Sequence, residues 1–164
     1  MPNINEFIAK FKGGARANLY EVVISGFDED LKFLAKATAT PGKDIGQIEV
    51  NYQNHTIPYR GDVVFQDWHV TVLLDQDMNI KKKLEDWLEK IQSSTDIQGG
   101  GALTEYARDA EVTLLGTDGS PIAVYKLKYI WPIGISPIEV SYDSKDTILE
   151  LDVNFKITYY ETDM

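Results

Sequence analysis

The chain of 164 residues contains no cysteine, which excludes disulfides, thiolate nucleophiles and cysteine-ligated metals. Its two histidines, His55 and His69, leave little for a metal centre built on imidazole. No stretch is apolar over the ~20 residues that a membrane-spanning helix needs. The opening segment MPNINEFIAKFKGG has no basic run followed by a long apolar one, so synthesis and folding in the cytoplasm are expected. Without a secretory signal, the match of Asn54-His55-Thr56 to a glycosylation acceptor reads as chance. Cations are in the minority: 16 Lys and Arg against 26 Asp and Glu give a formal net charge of -10. That balance disfavours nonspecific attraction to nucleic-acid phosphates.

What is present fits one domain with one sizeable core. The cleanest pattern lies in RGDVVFQDWHVTVLLD, Arg60 to Asp75, which reads as one long half-buried strand running into a helix. Trp68, Val70, Val72 and Leu74 alternate with Asp67, His69, Thr71 and Leu73, because side chains switch faces at every strand residue. Asp75 and Asp77 are placed to cap the helix that follows. That helix is expected from Met78 to Ser93, with Ile80, Leu84, Trp87, Leu88 and Ile91 as its apolar stripe. Asp86 and Lys90 form an i, i+4 pair worth a few tenths of a kcal/mol. Lys81, Lys82 and Lys83 read as a solvated face.

At the start, Ile4, Phe7, Ile8 and Phe11 have helical spacing, and Gly13-Gly14 ends the pattern. So short a helix is unstable alone in water. It packs either on its own domain or, as an arm, on a neighbouring subunit. Asn18–Ser25 and Leu31–Thr40 read as a hairpin turning at Gly26–Asp30. A second hairpin, Gln47–Tyr52 and His55–Tyr59 around Gln53-Asn54, alternates Ile48, Val50, Tyr52, Ile57 and Tyr59 with polar residues. It is too polar for a core position and reads as a projection that needs a partner.

Gln98–Gly101 reads as a linker; with no Gly-Lys-Ser or Gly-Lys-Thr after it, it is no phosphate-binding loop. Ala107–Leu115 and Ile122–Trp131 form a hairpin around Thr117-Asp118-Gly119-Ser120, whose Asp-Gly suits a type I′ turn. Pro137–Tyr142 and Thr147–Tyr160 read as the final hairpin, turning at Asp143–Asp146. Its last strand would span roughly 40 Å, and strands that long leave edges needing cover.

Catalytic sets are weak. Asp67, His69 and Thr71 project in parallel from one strand, and no nucleophile-elbow sequence accompanies them. Asp109 with Glu111 and Glu150 with Asp152 are carboxylates spaced i, i+2 on strands, which suits a solvated acidic face better than a glycosidase cleft. Asp28-Glu29-Asp30 lacks the later glycine and glutamate of an EF-hand. Trp68, Trp87 and Trp131 sit on apolar stripes, so core packing explains them better than a stacking platform.

Taken in order, ARANLYEVVI from Ala15, KATATPG from Lys36, RGDVVFQDWHVTVLLD from Arg60, YARDA from Tyr106 and YIWPIGISPIEVSYDS from Tyr129 resemble the tail tube proteins of contractile-tailed bacteriophages. The resemblance runs over nearly the whole chain, above all in the D-W-x-V-T-V strand before the helix and the W-P segment. It implies a mainly β protein: a single β-sandwich or barrel-like domain, residues 1–164, with one amphipathic helix on its flank. It further implies hexameric rings stacked into a hollow tube, with inner strands joined into one continuous barrel.

The partners so implied are further copies of the chain and the tail sheath, baseplate and tail terminator. Double-stranded DNA would pass without specific binding, and neither a cofactor, a metal, catalytic residues nor membrane insertion is implied. The location would be the virion tail, assembled in the host cytoplasm. Carried onto this chain, the inter-subunit contacts fall on the hairpin, at Ile48, Val50, Tyr52, His55, Ile57, Tyr59 and Arg60. Lumen candidates are Asp67, Asp109, Glu111, Glu150 and Asp152, with the choice of inward-facing strands left open. Two other readings stand beside the phage tube: a tube subunit of a type VI secretion or other contractile injection machine carrying protein effectors, and a monomeric acidic enzyme or binding domain.

Overall fold

Nine strands and three helices make up the described residues of the computed structural model, which are 3–27, 35–93, 95 and 101–164. The strands are β1 (Tyr20–Ile24), β2 (Ala35–Thr38), β3 (Lys43–Tyr52), β4 (His55–Phe65), β5 (Trp68–Leu73), β6 (Arg108–Leu115), β7 (Pro121–Ile135), β8 (Glu150–Lys156) and β9 (Tyr159–Asp163). The helices are α1 (Ile4–Phe11), α2 (Asn79–Ile91) and α3 (Leu103–Tyr106).

Two antiparallel layers enclose the core. One runs β1-β6-β7-β9 and the other β7-β8-β5-β2, so the long strand β7 belongs to both. The first half of β7 pairs with β6 and β9, while Trp131–Ile135 pairs with β8. The crossover is a bulge: Arg108 faces Ile130 but Ala110 faces Leu127, and Tyr129 takes a left-handed φ of 51°. An extra residue bends a strand and sharpens its twist, which is how one strand turns the corner of a sandwich.

The same corner splits the expected last strand. β8 ends at Lys156 and β9 begins at Tyr159, so the single strand of roughly 40 Å expected from Ile148 to Tyr160 is two strands in different layers. Thr158 ties the two bends together: its N–H donates to Lys128 O at 3.3 Å and its hydroxyl to Tyr129 O at 3.2 Å.

Alternation sets the core. Val22 and Ile24 of β1, Ala110 and Val112 of β6, and Leu127 of β7 point in from one layer; Trp68, Val70 and Val72 of β5 and Leu151, Val153 and Phe155 of β8 point in from the other. Helix α2 adds Ile80, Leu84 and Trp87. Trp87 lies 5.9 Å from Phe155 and 6.0 Å from Phe27, and its indole N–H donates to Tyr106 O at 2.6 Å. Each such large apolar side chain contributes about 1.5–3 kcal/mol on burial. Trp68 and Trp87 are core residues as expected, and Trp131 is half-buried against the core.

The chain departs from the sequence reading in five further places. Arg60–Asp75 is not one strand, because Gln66 and Asp67 break it between the hairpin strand β4 and the layer strand β5. There Gln66 N–H donates to Gly42 O at 3.0 Å and its side chain to Asp44 at 2.9 Å. β1 and β2 are not a hairpin: they pair with β6 and β5 in opposite layers, and the Tyr20 hydroxyl reaches across to Ala35 O. Burial raises the Tyr20 pKa. Asp28–Asp30 of that expected turn and Leu31–Leu34 of its second strand lie outside the described residues, as do Gln98–Gly100 of the linker.

Residues 137–142 form no strand. The β6–β7 connection is not type I′, since only Gly119, at φ 84°, is left-handed. Gly119 N–H closes a turn onto Gly116 O at 3.0 Å. On α2 it is Asp75 that accepts the Asn79 N–H, at 3.3 Å, and the ion pair formed is Lys81–Glu85 instead of Asp86–Lys90.

Candidate assembly and lumen surfaces

β3 and β4 form a separate two-stranded sheet that pairs with neither layer. Gln53 and Asn54 turn it with φ 45° and 66°, the two left-handed residues that a type I′ turn requires. Ile48 faces Tyr59, Val50 faces Ile57 and Tyr52 faces His55, so six of the seven expected contact residues share one face. All six are exposed. Arg60 is the exception: it pairs with Gln47 on the opposite, polar face with Glu49, Asn51, Thr56 and Pro58.

At the hairpin base the register slips between Ile45 and Gln47, where Gly46 and Gly61 cross. A Cβ on Gly61 would sit 2.8 Å from the Gly46 carbonyl carbon, so only glycine fits. The bulge re-aims the arm. Below it Lys43 and Phe65 reach Tyr160, which anchors the base to the domain. Ile45, Val63 and Val64 are also exposed; the sequence reading missed Val63 and Val64 because it assigned 60–65 to a half-buried strand, and Ile45 because it began the hairpin at Gln47. The signal was Gly61 itself, since a glycine inside a strand marks a bulge or a close approach.

Helix α1 is the second uncovered apolar element. Asn3 caps it by accepting Asn5 N–H at 3.1 Å, and Lys12 ends it at a left-handed φ of 50°. None of its residues is buried; Ile4, Phe7, Ile8 and Phe11 are 55–73% exposed, and the only ring contact among the described residues is Phe7 on Phe11 at 5.2 Å. Of the two placements open in the sequence, packing on its own domain buries none of the helix in this structure.

The lumen candidates divide between the two outward faces. Glu150 and Asp152 lie on the face of β5 and β8 with His69, Thr71, Asn154 and Lys156; Leu73 is the one apolar residue there. Asp67 sits at its border, 2.6 Å from Lys156. Lys36 of β2 pairs with Glu150. Asp109 and Glu111 lie on the other layer, beside Val23, Lys126 and Lys128.

Asp109 has a structural task at that position. Its carboxylate accepts the Tyr129 N–H at 3.4 Å and meets Lys128 Nζ at 3.3 Å, holding the bend of β7.

A hydrolytic triad is not assembled on the β5–β8 face. The Thr71 hydroxyl donates straight to Asp152 Oδ1 at 2.6 Å, and His69 Nδ1 meets the Asn154 carboxamide at 2.7 Å. An imidazole acting as base needs its Nδ1 oriented by a carboxylate and its Nε2 on the nucleophile. Here His69 Nε2 lies 3.4 Å from the Thr71 hydroxyl, but the hydroxyl gives its hydrogen bond to the Asp152 carboxylate, and Nδ1 meets an uncharged carboxamide instead of a carboxylate. No group of three His, Asp or Glu suited to a metal occurs among the described residues.

The chain matches the family model for phage tail tube proteins over residues 3–163. It is 29% identical over 161 residues to tail tube protein gp19 of Enterobacteria phage T4, covering 96% of this chain and 99% of that one. It is 25% identical to the tail tube protein of Serratia phage KSP90, covering 95% and 94%. In fold it is similar to a chain of the sheath–tube complex of an extracellular contractile injection system, at a TM-score of 0.68 and 12% identity over 99% of both chains. The sequence relatives are structural proteins and not enzymes. A mainly β chain with a flanking helix, matched from its first helix to its last strand, belongs to the phage tail tube protein family.

Proposed function

We propose that this chain is the repeating subunit of a contractile phage tail tube, six copies to a ring, stacked within the sheath into a conduit for double-stranded DNA. The observation that carries the reading is the pair of uncovered amphipathic elements. An isolated two-stranded hairpin is marginal in water, as is a helix of two turns. Both leave an apolar face outside the core of their own chain, and ring and stack contacts with further copies would cover them. Sheath, baseplate and terminator would be the other partners, and assembly would take place in the host cytoplasm.

We assign the lumen to the face of β5 and β8. Its lysines are already held: Lys36 by Glu150 and Lys156 by Asp67. Asp152 adds a carboxylate with no lysine on it. With no free lysine among its described residues, the wall offers nothing that could replace the counterions of DNA phosphates, and a net negative wall repels them within about 8 Å at physiological salt. The opposite face is less suited, because Lys126 forms no ion pair among the described residues and Val23 and Tyr159 expose apolar surface. Asp109 and Glu111 are therefore placed away from the DNA, and the likeness to injection-system tubes, at 12% identity, speaks to fold alone.

Electron microscopy of the concentrated purified protein, with sedimentation analysis, tests the assembly. Rings of six or tubes are expected. Monomer alone, with or without baseplate components, would overturn the reading.

A further inference from the structure

The chain contains one strand sequence twice. Ile48-Glu49-Val50-Asn51-Tyr52 and Ile138-Glu139-Val140-Ser141-Tyr142 agree at every position but the fourth, and each leads into a turn. The first copy is the outer half of β3, paired with β4 on one edge only. The second joins no sheet among the described residues: Ile138 is half-buried against the core, and the Ser141 carbonyl accepts the Ser144 N–H of the turn at 3.2 Å. Residues 138–142 donate no backbone hydrogen bond among the described residues; Val140 is 79% exposed and Tyr142 fully so. A segment with β-branched and aromatic residues in alternation, entered through Pro137, is a strand that lacks a neighbour.

We propose that residues 138–142 become a strand in the assembled protein, by pairing antiparallel with residues 48–52 on the hairpin of a second copy. The inference rests on the tube reading above. Three points on the two segments select this occupant and this register.

First, equal spacing lets Ile48 face Tyr142, Val50 face Val140 and Tyr52 face Ile138. The apolar side chains then lie on one side of the ribbon, continuous with Ile57 and Tyr59 of β4. Second, charge selects direction. Antiparallel pairing sets Glu49 against Ser141 and Glu139 against Asn51, whereas a parallel in-register pair would oppose Glu49 and Glu139, and like charges directly opposite destabilise a ladder. Third, the hairpin has two strands, and three or more with an apolar face are needed for independent stability. The added strand supplies the third and occupies an edge otherwise open to wrong pairing.

The absence of cysteine makes the test clean. Chains carrying Val50→Cys alone and Val140→Cys alone, each at an exposed position, are mixed before assembly and mildly oxidised. Directly opposed strand residues bring their Cα atoms within disulfide range. The linked 50–140 peptide, read by mass spectrometry, is expected in the assembled fraction and absent from unassembled protein. In the unsubstituted protein, amide exchange at 138–142 is expected to slow at least ~10-fold on assembly. Well-formed tubes with neither the linkage nor the protection, or a 140–140 linkage instead, overturn this pairing and leave the tube reading standing. Failure of the unsubstituted protein to assemble removes both.

Discussion

Replacing Gly61 with alanine isolates the hairpin from the domain that carries it. The added Cβ would lie 2.8 Å from Gly46 C, 2.9 Å from Gly46 O and 3.2 Å from Gln47 N, all of them backbone atoms. No side chain can rotate away, so the two strands must separate at the bulge, at a cost of about 1–3 kcal/mol typical of an added methyl without space. Gly46→Ala is the matched control: its Cβ meets Asp62 O at 3.5 Å, an ordinary contact. Because no residue of β3 or β4 is fully buried, the strain is relieved by opening the hairpin while the core stays closed.

Amide exchange over residues 47–60 is therefore expected to quicken roughly 5- to 150-fold in Gly61→Ala, following from that 1–3 kcal/mol, and to stay within about 2-fold of the parent in Gly46→Ala. The global melting temperature should be unchanged in both, and tube formation lost only in Gly61→Ala. Equal behaviour of the two variants, or a cooperative loss of the whole domain in Gly61→Ala, would refute the claim that the hairpin is a separately anchored arm.

Phe155→Ala removes the ring lying 5.2 Å from Trp68 and 5.9 Å from Trp87. A loss of about 3–5 kcal/mol, or roughly 6–20 °C in Tm, is expected by calorimetry. Ile8→Lys, on a helix with nothing buried, should leave the melting of the monomer unchanged within about 0.5 kcal/mol and abolish tube formation seen in micrographs; normal tubes would detach α1 from the assembly. Glu150→Lys with Asp152→Lys should preserve folding and tubes but slow genome ejection, as freed lysines attract phosphate, while Glu111→Lys on the other face should not. Unchanged ejection kinetics from well-formed tubes would take Glu150 and Asp152 out of the lumen.

Asp118 accepts the Ser120 hydroxyl at 2.6 Å and its N–H at 3.1 Å, which hold its pKa below the ordinary carboxylate value. The turn it stabilises is fully supported above the ordinary carboxylate range and loses that support as pH falls through the depressed value. NMR titration should show the midpoint rising in Ser120→Ala.

Face assignments were legible in the sequence wherever burial alone decides them. Trp68, Val70 and Val72 against His69 and Thr71, and the Ile80, Leu84, Trp87 stripe of α2, came out as alternation and helical spacing require. Partners and breaks were less legible. β1 and β2 are adjacent in the chain and suited to a hairpin, yet each finds its neighbour in a different layer, because pairing is settled by which apolar faces meet. The bends at Tyr129 and at Ile157-Thr158 interrupt neither alternation nor hydrophobicity. The turned backbone at Tyr129 is satisfied by Asp109 of β6 and by Thr158, a polar residue of the second bend. No local pattern carries that information.

The candidate surfaces show the same division in a sharper form. That the hairpin Gln47–Tyr59 stays outside the core was legible, since its apolar residues alternate cleanly but are too few for a core. Pro137–Tyr142 carries the same signature and reads as half of an internal hairpin, yet it pairs with no strand among the described residues. Periodicity states that a segment is competent to be a strand; it is silent on which molecule supplies the neighbour. If the chain repeats in a tube as proposed, the local rules hold in full for every strand, and some of the pairings they call for would lie outside the chain. A strand pattern left unpaired in a folded subunit is then evidence about the assembly, and the twice-written I-E-V-x-Y is where this chain states it most directly.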